Sequence, residues 1–194
     1  NDDALYWVAP NERCIIPLHG LRISRKLARQ VRNTRLHFTI NRDFLSMVRL
    51  CCKRDKTWIN APLLELYGDL HRHGFAHSIE IYESPACTHC LGGLFGVTLR
   101  GAFFGESMVS LAPNISKLAL IALVACLQKQ QFTLLDCQFP TPHLLSLGGQ
   151  VMTQDTYLQH LSQALTHSCC FLTPSSQEIL ANMREYLHNM LARG

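Results

Sequence analysis

Glu106 stands in the stretch "GAFFGESMVS", Gly101 to Ser110, among apolar, aromatic and small residues, and no turn signal accounts for it. An ionised carboxylate in such company is costly unless something binds it, so Glu106 is read as a group kept for binding. Asp136 and Gln138 close the apolar run "FTLLDCQF". In α/β sheets, ligands bind beyond the carboxyl ends of strands. Two strands that each deliver a carboxylate to such a region could build a polar site in an apolar pocket. The competing reading of Glu106 and Asp136 is that they are edge-strand or capping groups.

Other chemistries fit less well. Ser107 sits in "GESMV", one residue short of the nucleophile elbow G-x-S-x-G. Val109 replaces the last glycine, and the apolar strand runs on where a helix should begin. "LGGLFGV" lacks the Lys-Ser/Thr of a phosphate loop and opens no helix. Its glycines suit the close approach of a ligand or a neighbouring backbone. Cys87 and Cys90 form a C-x-x-C, half of a structural zinc site. The remaining cysteine pairs, Cys51–Cys52 and Cys169–Cys170, are directly adjacent, which is poor ligand geometry. The stretch is read as a loop between strands. His71, His73 and His77 are divided between a helix end and a strand start, and no metal is expected.

Charge points to a polyanion. Arg22, Arg25, Lys26, Arg29, Arg32 and Arg35 crowd one segment of a chain whose formal net charge is +4. Arg22, Arg25, Arg29 and Arg32 fall on one face at helical spacing, and could contact phosphates or form a solvated face. Trp58, in "TWIN" between two helical patterns, could stack on a base or anchor a core. Together the two features favour nucleic acid.

The elements that must position these groups follow from periodicity and caps. Ser24 caps the basic helix, Asn41 is expected to cap "RDFLSMVRLCC", and Asn60 caps "APLLELYGDLHRH", which Gly74 stops. "LHFTI", "AHSIEIYES", "CLGGLFGVTLR", "AFFGESMVS" and "FTLLDCQF" read as strands, with a tight turn at Arg100–Gly101. Asn114 opens a long apolar helix to Gln130. "TPHLLSLGG", "QDTYLQHLSQAL" and "SSQEILANMREYLHNML" are helical. The order implies an α/β (mixed α+β) fold, a mixed sheet with helices on both faces.

With 194 residues, 47% hydrophobic and 16% charged, the chain suits one folded domain with a small appendage: 1–165 as the main domain and 166–194 as a helical tail. Nine cysteines, an odd number, and no recognisable signal peptide argue against a secreted disulfide framework and for a reducing, cytoplasmic setting. No apolar run approaches a membrane span, so no membrane is expected. The chain opens on Asn1, compatible with processing or with a preceding segment.

The motifs "YWVAPNERCIIP", "ISRKLAR", "TWIN", "LHRHGFAHSIE", "GGLFGV", "FFGESM", "NISKLAL", "LLDCQF" and "HLLSLGG" occur in that order. The series resembles the leucyl/phenylalanyl-tRNA–protein transferases from about Leu5 to Leu165. The resemblance implies a fold related to the GCN5-type N-acyltransferases, without their acetyl-CoA loop. It implies transfer of Leu or Phe, with Met a further candidate, from Leu-tRNA or Phe-tRNA to acceptor proteins with N-terminal Arg or Lys, which creates an N-degron. No cofactor is implied, since aminoacyl-tRNA is a substrate.

The resemblance also assigns roles. Trp58 matches an aromatic that contacts the terminal adenosine. Phe103 and Glu106 match donor-site residues, with Ser107 beside them. Leu94, Met108, Leu120, Leu123 and Leu135 match the pocket for the amino-acid side chain. Asp136 and Gln138 match the proposed catalytic pair, and Arg25 and Arg29, with Lys26 and Arg32 alongside, match the tRNA-binding patch. The reaction is aminolysis of an ester, and an α-amine of unperturbed pKa about 7.7–8.0 needs modest help. Either Asp136 orients the Gln138 amide, or it holds the incoming Arg or Lys cation. The proton passes to the Gln138 oxygen or to the free hydroxyl of the terminal ribose. Glu106 would accept hydrogen bonds from the adenosine or from the donor's α-ammonium.

Three departures stand beside the match. A segment with a Gly-Ile-Phe-Pro motif precedes "YW" in the family and is not in this sequence. Tyr6 stands where many members carry Trp, and 166–194 match nothing in the pattern. The alternatives are a non-catalytic tRNA-binding relative and a transferase for another amine acceptor. An open pocket at Glu106, Asp136 and Gln138, joined to the basic helix, would favour catalysis.

Overall fold

The computed structural model describes residues 8–53 and 57–192. Tyr6, and with it the first two residues of "YWVAPNERCIIP", lie outside the described residues.

Apolar runs separated by turn residues build one seven-stranded sheet among the described residues. Its strands are β1 (Glu12–Ile15), β2 (His37–Ile40), β3 (Ala76–Tyr82), β4 (Gly92–Leu99), β5 (Ala102–Ser110), β6 (Leu134–Asp136) and β7 (Gln150–Thr153), in the order β2-β3-β4-β5-β6-β1-β7. Every neighbouring pair is antiparallel except β5 and β6, which run parallel. The turn between β4 and β5 is Arg100–Gly101, with Arg100 at φ 53°. β1 and β7 are additions to the expected strands. Each has four residues and sits near one edge, too short for its period to stand out.

Helices cover both faces, as expected. Helix α4 (Ile115–Lys129) is apolar nearly all round and is buried in the larger core. It packs against β3, β4 and β5 on one side and against α7 (Ser176–Leu191) on the other. Ile179, Met183, Tyr186 and Leu187 of α7 join that core, as do Leu27, Ala28 and Val31 of α1 (Arg25–Asn33). The opposite face of the sheet carries α2 (Phe44–Cys52) and α3 (Ala61–Arg72), which bury Phe95 and Ala76. After the short helix α5 (Pro142–Ser146), helix α6 (Gln154–Ala164) closes a third cluster over Ile15, Ala102 and Leu134.

The caps follow the sequence with one shift. Ser24, Asn60 and Ser175 accept backbone N–H bonds at the starts of α1, α3 and α7. Asp43, not Asn41, caps α2. Asn41 takes the left-handed conformation (φ 59°), and its side-chain amide bridges Ser78 and His77 instead. Asn tolerates that conformation better than most residues. The glycines of β4 make room for backbone: a Cβ on Gly93 would lie 1.9 Å from the Ile79 carbonyl oxygen, and one on Gly96 would lie 2.2 Å from that of Phe104.

β5 and β6 set the site. They pair only over Ala102–Phe104 and Leu134–Asp136. β6 then ends, whereas β5 continues to Ser110. A cleft therefore opens between the carboxyl ends of two parallel strands, where α/β sheets place ligands.

Candidate active site

Glu106 is the extra residue of a β-bulge. Ser107 pairs with Phe95 and Gly105 with Gly96, so Glu106 has no partner on β4. A bulge bends its strand and re-aims a side chain, which explains a carboxylate in the middle of an apolar strand. Its Oε2 accepts from the Tyr67 hydroxyl at 2.9 Å and from Gln138 Nε2 at 2.8 Å. Oε1 meets no protein donor among the described residues. Burial raises the Glu106 pKa above its ordinary 4.5, and the bonds from Gln138 and Tyr67 only partly oppose that. Burial, with Glu106 beside it, pushes the Tyr67 hydroxyl far above 10, so it remains a donor.

Gln138 holds a left-handed backbone, φ 63°, which costs a non-glycine residue on the order of 1–3 kcal/mol. Two bonds hold it there. Its N–H donates to Asp136 Oδ1 at 2.7 Å, and its carbonyl accepts from Cys14 N at 2.8 Å. From this turn the side-chain amide reaches Glu106, and also lies 3.4 Å from the Gly105 carbonyl. The amide oxygen is the part of Gln138 left for a ligand.

Asp136 is fully buried. Its Oδ2 accepts from Arg13 and, at 2.7 Å, from the Tyr157 hydroxyl. It lines neither of the two cavities below, and both of its oxygens accept from within the protein. Glu80 is a second buried carboxylate, but Thr39, Ser78 and the backbone of Arg42 and Asp43 supply its donors away from the cleft.

Two cavities meet at Glu106. The inner one, of about 90 Å³, is walled by Leu94, Phe95, Met108, Leu120, Leu123, Leu135, Cys137 and Leu144, with Gly105, Glu106 and Ser107 completing its lining. The outer one, a cleft of about 750 Å³, runs from Trp58 past Glu106, Ser107 and Gln138 to Phe139, Thr141, His143 and Ser116. Glu106, Ser107, Met108, Cys137 and Leu144 belong to both. The arrangement suits a ligand with an apolar side group, a polar centre and a larger body outside.

The structure thus gathers Glu106, Ser107, Leu94, Met108, Leu120, Leu123 and Leu135 around the inner cavity, and Trp58 and Gln138 around the cleft. Trp58 is half exposed, with its ring edge on Tyr67. Phe103 is not brought to either cavity. It is buried in the main core, its ring near Phe171. Ser107 lies in a paired strand and bonds to no histidine among the described residues.

Arg25, Lys26, Arg29 and Arg32 lie exposed along α1, opposite its buried Leu27 and Val31. The helix is tied to the cleft: Asn114 at the start of α4 donates to Gln30 of α1 at 3.0 Å, and Ser116 lines the cleft two residues on. The other candidates have separate local roles. Cys87 meets Ser84, and Cys90 meets the Ile81 and Gly92 carbonyls. Among the described residues no group of side chains is placed to hold a metal ion, and no helix is long and apolar enough to cross a membrane.

Sequence reasoning missed Tyr67, Phe139, His143, Arg13 and Tyr157. Tyr67 carried a usable signal, a polar-tipped ring on the buried side of a helix. Phe139 follows Gln138 directly, where an aromatic leaves the strand for the surface.

Comparison with known proteins covers most of the chain. The model of a family described as leucyl/phenylalanyl-tRNA protein transferase matches residues 15–162. The chain is 42% identical to the leucyl/phenylalanyl-tRNA–protein transferase of Ruegeria sp. (strain TM1040) over 186 residues, covering 95% of this chain and 87% of that protein. It is 45% identical to that of Dinoroseobacter shibae over 166 residues, 86% of this chain and 73% of that protein. With that of Gluconobacter oxydans the figures are 48% over 166 residues, 84% and 72%.

Proposed function

The chain belongs to the leucyl/phenylalanyl-tRNA protein transferase family of aminoacyltransferases, and from that premise we propose that it moves Leu or Phe from charged tRNA to the N-terminal Arg or Lys of an acceptor protein. The product would carry a destabilising N-terminus, an N-degron. The observation that carries the reading is the meeting of a small apolar cavity with a polar cleft at one half-buried carboxylate, Glu106.

In this reading the Leu or Phe side chain fills the inner cavity against Leu94, Met108, Leu120, Leu123 and Leu135. Burial of such a side chain contributes about 1.5–3 kcal/mol. Glu106 Oε1 accepts from the donor's α-ammonium, which turns the ester carbonyl toward the cleft. The terminal adenosine stacks on Trp58, and the tRNA stem meets Arg25, Lys26, Arg29 and Arg32. The acceptor's neutral α-amine attacks the ester carbon. A C–N bond forms, the C–O bond to the terminal ribose breaks, and the ribose oxygen ends with the proton the amine gives up. Gln138 Oε1 accepts a hydrogen bond from the attacking amine. An amide is a poor base, so its part is to hold the nucleophile in line, and such positioning can lower a barrier by several kcal/mol. Asp136, fully buried and lining neither cavity, serves the position of Gln138 and does not bind the incoming cation.

The test is transfer of radiolabelled Leu from charged tRNA to reporter proteins beginning with Arg, Lys or Gly. Label on the Arg and Lys reporters, absent from Gly and reduced at least 100-fold by Glu106→Ala, is the expected result. Charged tRNA bound without transfer to any reporter would overturn the reading.

A further inference from the structure

Asp136 raises a question the reaction leaves open: why a fully buried carboxylate, out of reach of the cleft, receives donors from three separate parts of the chain. Arg13 comes from β1, Tyr157 from α6, and the Gln138 N–H from the turn after β6. The guanidinium also lies over the Tyr157 ring, 4.9 Å from its centroid. β1 holds the same turn a second time, through Cys14 N and the Gln138 carbonyl. No residue of β1, β7 or α6 lines the cleft or the inner cavity. These elements hold the site through Asp136 and the turn that follows it.

We propose that Arg13 and Tyr157 are positioning residues for the transfer: together they lock Asp136, and Asp136 locks Gln138 in the left-handed turn from which its amide reaches Glu106. The proposal rests on the transferase reading for the step that Gln138 serves, but not for the clamp itself. Division of labour follows from the two oxygens. Oδ2 is committed to Arg13 and Tyr157, which leaves Oδ1 aimed at the Gln138 N–H. A carboxylate with one anchored oxygen presents the other at a fixed angle, and reacting groups lose rate when misplaced by about 1 Å. Burial and the neighbouring carboxylate hold the Tyr157 hydroxyl well above its ordinary 10, so it donates at every working pH.

A merely structural ion pair between β1 and β6 would predict something different, since its loss would loosen the sheet and leave the geometry of Gln138 to the rest of the fold. Tyr157→Phe separates the two. It keeps the ring under Arg13 and removes only the hydroxyl donor. The first measurement is amide hydrogen exchange, which needs no activity. Exchange at the Gln138 N–H should quicken about 10-fold, with the β1–β7 ladder unchanged. The second is steady-state transfer. kcat should fall about 10-fold with KM for charged tRNA and acceptor unchanged, and the fall should vanish when Tyr157→Phe is made in a Gln138→Ala background. Arg13→Lys, which keeps the charge, should restore part of the rate that Arg13→Ala loses.

Unaltered exchange at Gln138, exchange that quickens equally across β1 and β7, or an equal kcat loss with and without the Gln138 side chain would each overturn the proposal. Failure of the wild type to transfer would sink the proposed function instead, and the exchange result would still decide the clamp.

Discussion

Gln138 Nε2 donates to Glu106 Oε2 at 2.8 Å, joining residues 32 positions apart across the gap where β5 and β6 separate. Each partner is held in an irregular backbone, Glu106 in a bulge and Gln138 in a left-handed turn. Such irregularities persist where surrounding structure over-determines them, and they gather at functional sites. Among the described residues, the bond leaves Oε1 of Glu106 and Oε1 of Gln138 free, the two atoms that the proposed reaction assigns to the donor and the nucleophile.

Glu106→Gln should separate activity from stability. A glutamine can still accept from Tyr67 and Gln138 but carries no charge for the donor's ammonium. Transfer should fall about 100-fold, the scale on which removal of one charge-stabilising group acts. Stability at pH 7 should hold or rise. The folded-state pKa of Glu106 is raised by burial, so its ionised form opposes folding, and any stability it contributes is lost as pH rises through that pKa. In the wild type, transfer should rise with pH through the same titration, above pH 4.5. Chemical denaturation and a pH–rate profile check both. A destabilised Glu106→Gln with full activity would remove Glu106 from the site.

Much of this site was legible in the sequence, for a physical reason. A carboxylate without a turn signal in an apolar strand has few explanations, and Asp136 and Gln138 ended a buried run. What stayed hidden was set by tertiary structure. The bulge at Glu106 depends on the register of β4 against β5, which period-2 alternation alone does not reveal. Arg13 and Tyr157 lie 123 and 21 positions from Asp136, and nothing local marks them as its partners. Phe103 shares its strand with Glu106 but faces the core, because residues three apart on a strand point to opposite faces and the strand is regular from Phe103 to Gly105. Asn41 resembled an N-cap, yet Asp43 two residues on held that position.

The inner cavity should set the choice of amino acid. A cavity of about 90 Å³ is smaller than the 150 Å³ or so that holds benzene, so it favours Leu over Phe unless a wall moves. Met108 is the wall residue with the most freedom to move. Met108→Ala should shift the Phe/Leu ratio of kcat/KM upward by about 10-fold or more, the discrimination that one or two methylenes provide. Leu123→Phe should fill the space and depress both. An unchanged ratio in both variants would mean that the side chain binds elsewhere.

The basic face of α1 should act through phosphates. Arg25, Lys26, Arg29 and Arg32 are exposed and do not touch the cleft. Arg25→Ala and Arg29→Ala should each weaken tRNA binding without regard to sequence and reduce the salt slope of the affinity by about 1. kcat at saturating tRNA should stay constant. Binding titrations at several salt concentrations measure this, and an unchanged slope would leave α1 as a solvated face.

The C-terminal helix should be indispensable to folding. Ile179, Met183, Tyr186 and Leu187 are buried in the same core as α4, and the Ser176 hydroxyl accepts from Phe38 N at the edge of the sheet. Four such side chains represent roughly 6–12 kcal/mol of burial, comparable with the whole stability of a domain. Truncation before Ser175 should yield an aggregated or unfolded chain by circular dichroism. A folded, active truncation would show that α7 is an accessory.

His77 should make the fold acid-sensitive. It is buried, accepts from Asn41 Nδ2 at 3.0 Å and donates from Nε2 to the Gly74 carbonyl at 3.1 Å. It lies against the ring of Phe171. Both ring nitrogens are thus committed to a neutral imidazole, and burial lowers its pKa to about 4. A folded-state value below the ordinary 6.5 means that the unfolded chain binds the proton more tightly. Stability is therefore complete above pH 6.5 and is lost as pH falls toward 4. The loss should be roughly 2 kcal/mol, the linkage value discounted for partial solvent screening. Glu106 titrates in the opposite sense, so the comparison is cleanest in a Glu106→Gln background. There His77→Gln, which can keep both hydrogen bonds without a titrating ring, should give a flatter stability curve between pH 7 and pH 4.5. Parallel curves with and without His77 would place the acid sensitivity elsewhere in the chain.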